Sequence, residues 1–202
     1  MDRRPGTKKK IQGQLDIGLD NEGFSQALKI RDALKDFKPA LIFCSPLKRS
    51  QATVEPLVKE QKCAIIYSRH LLERKFGVVE GMALNEINLK CNKKKRKLLL
   101  QTENPTYRPK GGESLKDVEK RVLMFLMLLQ KQTFLNNVVC MTHGGFLNVL
   151  YKTVKQIPLN TKRDWNIPNA AFFHLEIMTN ENKIIKWADT DHLNTRSVLD
   201  EN

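Results

Sequence analysis

The stretch Val138 to Leu150, VVCMTHGGFLNVL, constrains this chain more than any other. Four apolar residues, Val138 to Met141, predict a short buried strand, and Thr142-His143-Gly144-Gly145 turns it into a helix. Paired glycines after a strand allow a sharp turn and a close backbone approach to a ligand. A helix that starts there aims unpaired N–H groups above the strand end, where they favour an anion. A histidine at that mouth can bind phosphate, transfer a proton or act as a nucleophile. It can equally be a polar residue closing a turn, so His143 needs company before it means anything.

The rest of the chain supplies a layered context. Asn21 to Phe37 predicts a helix with Phe24, Ala27, Leu28, Leu34 and Phe37 on one face, stopped by Pro39. Ala40 to Cys44 predicts a buried strand and Lys48 to Gln61 a helix. A short strand follows at Ala64 to Tyr67. Residues 70–80 form an irregular loop ending at Gly81, and 83–100 read as helical. After a proline-containing loop, Ser114 and Asp117 form a capping box that opens a helix running to about Phe134. Ala171–Ile177 and Ile184–Ala188 predict a hairpin. Alternating strands and helices imply an α/β fold: three layers, a mostly parallel sheet, helices on both faces. Ligands in such folds lie beyond the carboxyl ends of the strands. Residues 1–10 have no periodicity and read as a disordered basic N-terminus; 11–202 read as a single domain.

With 202 residues, 41% of them apolar, the chain can bury one good-sized core. No apolar run approaches the roughly 20 residues of a membrane span. Cys44, Cys63, Cys91 and Cys140 have no metal-type spacing. They read as reduced thiols, which points to the cytoplasm or the nucleus. Net charge is +13, from 35 Lys and Arg against 22 Asp and Glu. Such a surface attracts polyanions or small anionic metabolites. Much of the excess lies in Lys8–Lys10 and in Lys93, Lys94, Lys95, Arg96 and Lys97. The second run reads as a solvated helix face or loop, or as a patch for nucleic acid or an importin.

Three further pieces gather around His143. Arg49 follows the Ala40–Cys44 strand at the start of a helix, where a guanidinium can grip a phosphate with two N–H groups. Glu73, in LLERKFGVVEG, can protonate a leaving oxygen, or simply pair with Arg69 or Arg74. Lys110-Gly111-Gly112-Glu113-Ser114 marks a capped helix start and a second end that could face an anion.

Taken in order, SPLKRSQATVEPL, LLERKFGVVEG, KGGESLKDVEKR, MTHGGFLNVL and NAAFFHLEI resemble the histidine phosphatase superfamily, the phosphoglycerate mutase-like fold. The resemblance runs from Ile11 to about Leu193. SRHLLERKFGVVEGMALNEIN and DHLN resemble most its fructose-2,6-bisphosphatase-like (TIGAR-like) members. The resemblance implies a phosphomonoester hydrolase of glycolytic regulation that acts on sugar bisphosphates through a phosphohistidine, with no metal or other cofactor. It implies Arg49 as a phosphate-binding arginine, Glu73 as the proton donor and His143 as the second pocket histidine. Gly144 would be the backbone partner of His143, and Gln12 and Gly13 would line the entrance.

The chain departs from the pattern at its start. Family members carry an apolar strand ending in arginine-histidine-glycine-glutamate-threonine, which supplies the nucleophile. Here Met1 to Thr7 read MDRRPGT, and no histidine precedes His70. The fold is therefore expected to lack that strand, which costs about 2–5 kcal/mol for each large apolar side chain missing from the core. Three explanations stand open: an incomplete gene model or splice product, a catalytically dead relative that binds ligands or partners, or a rearranged site.

Overall fold

The computed structural model describes residues 10–83, 86–87, 104–131, 137–179 and 181–194. The basic run Lys93–Lys97 and nearly all of the helix expected over 83–100 lie outside these residues.

Two layers of helix enclose a parallel sheet. Strands β1 (Leu41–Cys44), β2 (Ile65–Tyr67) and β3 (Val138–Met141) lie in the order β2-β1-β3. Leu41 stands opposite Val138, and Ile42 opposite both Val139 and Ile65. Every side chain of β1 is buried, because the strand alternates between two apolar layers. Ile42 and Cys44 face Val54 and Leu57 of α2 (Lys48–Gln61), with Leu34 packed beside them. Leu41 and Phe43 face Val118, Val122 and Phe125 of α3 (Leu115–Gln130) and Phe146 and Val149 of α4 (Gly144–Val154). Phe43, Phe125 and Phe146 meet edge to face, with centroids 5.5 and 6.2 Å apart. The three layers expected from the alternation are present.

Helix α1 (Asn21–Ala33) is capped by Asp20, whose side chain accepts the Gly23 N–H at 2.8 Å. It ends before the expected Phe37, in a turn that leads to Lys38 at φ 47° and then to Pro39. Its buried residues are Ala27 and Ile30, whereas Phe24 is 51% exposed. The apolar face is therefore rotated from the expected one. The start of α3 follows expectation: Ser114 Oγ accepts the Asp117 N–H while Asp117 accepts the Ser114 N–H.

The hairpin β4 (Phe172–Ile177) and β5 (Asn182–Asp189) forms a separate antiparallel sheet. Between it and β3 lies a cleft of about 2690 Å³. The outer edge of β3 and the whole of β4 line it, together with Ile30 and Leu34 on one side and Phe125, Leu129 and Leu150 on the other. This corrects the expectation that β3 is buried: its residues are half-buried, and Cys140 is exposed. The physical reason is topological, since among the described residues no strand pairs with the outer edge of β3. Ile11, just ahead of Gln12, instead exchanges backbone bonds with Met82 and Gly81 at 2.9 and 2.7 Å.

Candidate functional site

One end of the cleft holds the residues singled out above. Gln12, Gly13, Arg49, Glu73, His143 and Gly144 all line it. Each arrives from a different point of the fold: Arg49 from the first turn of α2, His143 from the N-cap of α4, and Glu73 from the loop after β2.

His143 is 8% exposed. Its Nε2 lies 2.8 Å from Ser45 Oγ and 3.2 Å from Ser50 Oγ. Burial, followed by the positive charges of Arg49 and Arg121, pushes its pKa down to about 3, so the ring is neutral at physiological pH. A neutral imidazole can donate one hydrogen bond to a phosphoryl oxygen without carrying charge into the site.

Glu73 sits on the N-terminus of α4. Its Oε1 accepts the Arg74 N–H at 2.6 Å and its Oε2 accepts the Gly145 N–H at 3.1 Å. Burial raises its pKa; these two N–H bonds and the charges of Arg49 and Arg121 work against that rise. A Cβ at 145 would collide with the Glu73 carboxyl group, so any other residue there has to displace that side chain. The Arg74 guanidinium goes elsewhere: its Nε donates to the Glu113 carbonyl at 3.1 Å.

Arg49 is tied to the entrance loop. Its Nη2 donates to the Gly13 carbonyl at 2.8 Å and its Nη1 to the Leu15 carbonyl at 2.9 Å. Two corrections follow for the anion seat as the sequence suggested it. The Gly145 amide is already engaged by Glu73, and two of the Arg49 N–H groups already hold the loop. Among the described residues, what remains for an anion beside His143 is the positive field of Arg49 and Arg121, the Gly144 amide and the His143 ring. Gly13 takes a φ of 52°, and a side chain there would run into Glu80. The second proposed anion-facing helix end, at Ser114, is closed by its own capping box.

Comparison with known proteins settles the lineage. The family model of the histidine phosphatase superfamily, branch 1, matches residues 4–190. The chain belongs to the histidine phosphatase superfamily.

The metal-independent phosphoserine phosphatase of Arabidopsis thaliana is 27% identical over 94% of this chain and 79% of its own length. The fructose-2,6-bisphosphatase TIGAR of Bos taurus is 34% identical, over 58% of this chain and 43% of its own length. Among solved structures, Bacillus stearothermophilus YhfR matches with a TM-score of 0.81 at 23% identity, over 92% of this chain and 91% of that one. A mycobacterial glucosyl-3-phosphoglycerate phosphatase matches with a TM-score of 0.77 at 23% identity, over 94% of both chains. At such identities the structural matches establish the fold.

Several residues around this phosphatase-family site were not visible in sequence. Ser45 and Ser50 hold His143. Gln14 donates to the Glu73 carbonyl at 2.9 Å, and Thr142 to the Leu71 carbonyl at 2.8 Å. Arg121, deep in α3, bonds the loop that carries Glu73. Ser45 and Ser50 flank Arg49 within SPLKRS, and that adjacency was their one available signal.

Proposed function

We propose that this chain recognises the phosphoryl group of a phosphorylated small molecule, with a sugar bisphosphate such as fructose-2,6-bisphosphate as the leading candidate. We also propose that these 202 residues on their own turn it over negligibly. The observation that carries this reading is convergence: Arg49, Glu73 and His143, spread over three motifs, line one end of one cleft. In this reading Arg49 supplies positive field to the phosphoryl oxygens, and the His143 ring and Gly144 amide donate to them. Glu73, whose pKa burial raises, holds the proton that a leaving ester oxygen needs.

In this reading, the group that these 202 residues do not supply is the nucleophile. No histidine precedes His70. His143 is a poor substitute, because its Nε2 already faces two serine hydroxyls in a buried setting. Losing a covalent nucleophile typically costs several orders of magnitude in rate. The same observation favours a second reading, a non-catalytic module that binds phosphate ligands or partners. In that reading Lys93 to Lys97 engage nucleic acid or an importin. Both readings place the protein in the cytoplasm or nucleus, and both take 11–202 as one domain.

The test assays fructose-2,6-bisphosphate, phosphoserine and an aryl phosphate. The chain is used as it stands and with an apolar strand ending in RHGET grafted ahead of Ile11. Activity in the graft alone, abolished by His143→Ala or Glu73→Gln, supports the phosphatase reading. Robust turnover by the ungrafted chain, lost on His143→Ala, shows that the nucleophile has been misassigned. A folded graft with no turnover supports the non-catalytic reading.

A further inference from the structure

The loop that presents Glu73 is held by side chains from elsewhere. Arg121 of α3 bonds both carboxylate oxygens of Glu113, through Nε at 2.8 Å and Nη2 at 3.0 Å. Its Nη1 donates to the carbonyls of His70 and Leu72 at 2.7 and 3.0 Å, and Nη2 approaches the Glu73 carbonyl at 3.5 Å. Glu113 grips the other side of the loop. Its Oε2 accepts the Lys75 N–H at 2.9 Å, its carbonyl accepts Arg74 Nε at 3.1 Å, and its N–H donates to the Lys75 carbonyl at 2.8 Å. The residues on both sides of Glu73 therefore hang on one ion pair. That pair is largely shielded, with side chains 16% and 19% exposed. Exposed pairs contribute little, whereas a shielded two-point fork fixes geometry as well as charge.

We propose that the Glu113–Arg121 pair is the positioning device of the site: it sets the loop over 70–75 so that the Glu73 carboxyl group lands on the Gly145 N–H. This rests on Glu73 being the acid of the proposed function. Neither partner needs to touch a substrate. Arg121 acts through backbone carbonyls, and its charge reaches Glu73 and His143 through space. The role requires a planar fork with several fixed donors; a lysine at 121 would retain the charge and lose the fork.

The test uses Arg121→Lys and Glu113→Gln in the full chain, with Glu73→Ala marking where the Gly145 amide resonates once no side-chain acceptor faces it. Three quantities are read: the Gly145 amide resonance, the titration midpoint of the Glu73 carboxyl carbon, and the melting temperature. In Arg121→Lys the Gly145 resonance should move most of the way to its Glu73→Ala position. The Glu73 midpoint should fall toward an ordinary carboxyl value as the side chain reaches water. Glu113→Gln should move both in the same direction by less. A lower melting temperature with both signals unmoved would make the pair a plain strut and overturn the proposal, as would failure of both variants to fold. Phosphate titration of the unmodified chain reads the other claim separately. If phosphate is ignored while these variants still move Glu73, the proposed function falls and the positioning role stands.

Discussion

The carboxyl group of Glu73 accepts the Gly145 N–H at 3.1 Å across 72 positions of sequence. It thereby joins the loop after β2 to the first turn of α4. Gly145→Ala cannot keep this hydrogen bond, since the added Cβ would occupy the place of the carboxylate. The variant should lose about 1–3 kcal/mol of stability, the range for breaking a buried polar interaction. Glu73→Ala should relieve part of the loss, so that the two substitutions are clearly non-additive in urea unfolding. Strictly additive effects would show that the two residues do not share this bond.

His143 makes stability depend on pH. Its folded-state pKa lies near 3, below the 6.5 of an ordinary histidine, so the unfolded chain takes up the proton first. Its contribution is complete above about pH 6.5 and is lost as pH falls toward 3, at about 1.4 kcal/mol per unit. From pH 7 to pH 5 the loss is about 2 kcal/mol. Glu73, with its raised pKa, has the opposite sign: its contribution is held in acid and lost as pH rises from the ordinary glutamate value through the folded one. Urea unfolding at pH 5 and pH 7 should therefore show a smaller acid loss in His143→Asn than in the unmodified chain. Parallel pH dependences would contradict a neutral buried ring.

Lys152 is 1% exposed, and its Nζ donates to the carbonyls of Leu159 and Thr161 at 2.6 and 2.8 Å. Lys152→Met removes a buried cation, which helps, and leaves two carbonyls without that donor, which costs about 1–3 kcal/mol each. The carbonyl cost should win, with a net loss of about 1–3 kcal/mol. A variant more stable than its parent would show that water replaces the ammonium.

Much of the fold was legible because strong punctuation bounded it. Helix α2 was read from about Lys48, after Ser45-Pro46-Leu47, and β3 over Val138–Met141, ahead of Thr142-His143-Gly144. Periodicity failed where two apolar faces compete: on α1 the core takes Ile30 and leaves Phe24 in solvent. The convergence of Arg49, Glu73 and His143 was legible from their motifs. The engagement of the Arg49 fork and the Gly145 amide was not, and neither was the grip of Arg121 on the carbonyls of His70 and Leu72. Bonds to backbone carbonyls far away in the chain leave no periodic or compositional trace.

The cleft beside β3 exposes apolar side chains, and among the described residues no strand pairs with the outer edge of β3, which invites dye binding and association. The chain should enhance the fluorescence of an apolar dye while retaining a cooperative melting transition. The grafted strand should suppress that enhancement, since each large apolar side chain it buries contributes about 1.5–3 kcal/mol. Equal dye binding with and without the graft would mean that the strand does not enter the cleft.

Whether Arg49, Glu73 and His143 share one phosphate seat is read by titration with inorganic phosphate, followed by amide and side-chain NMR. One saturable event is expected, with a Kd on the order of 1 mM, as for a weak small-ligand site. In it the resonances of Gly144, Gly145, His143 and the Arg49 guanidinium move together, and Arg49→Met or His143→Ala abolishes the movement. Shifts confined to surface lysines, unchanged in both variants, would contradict it.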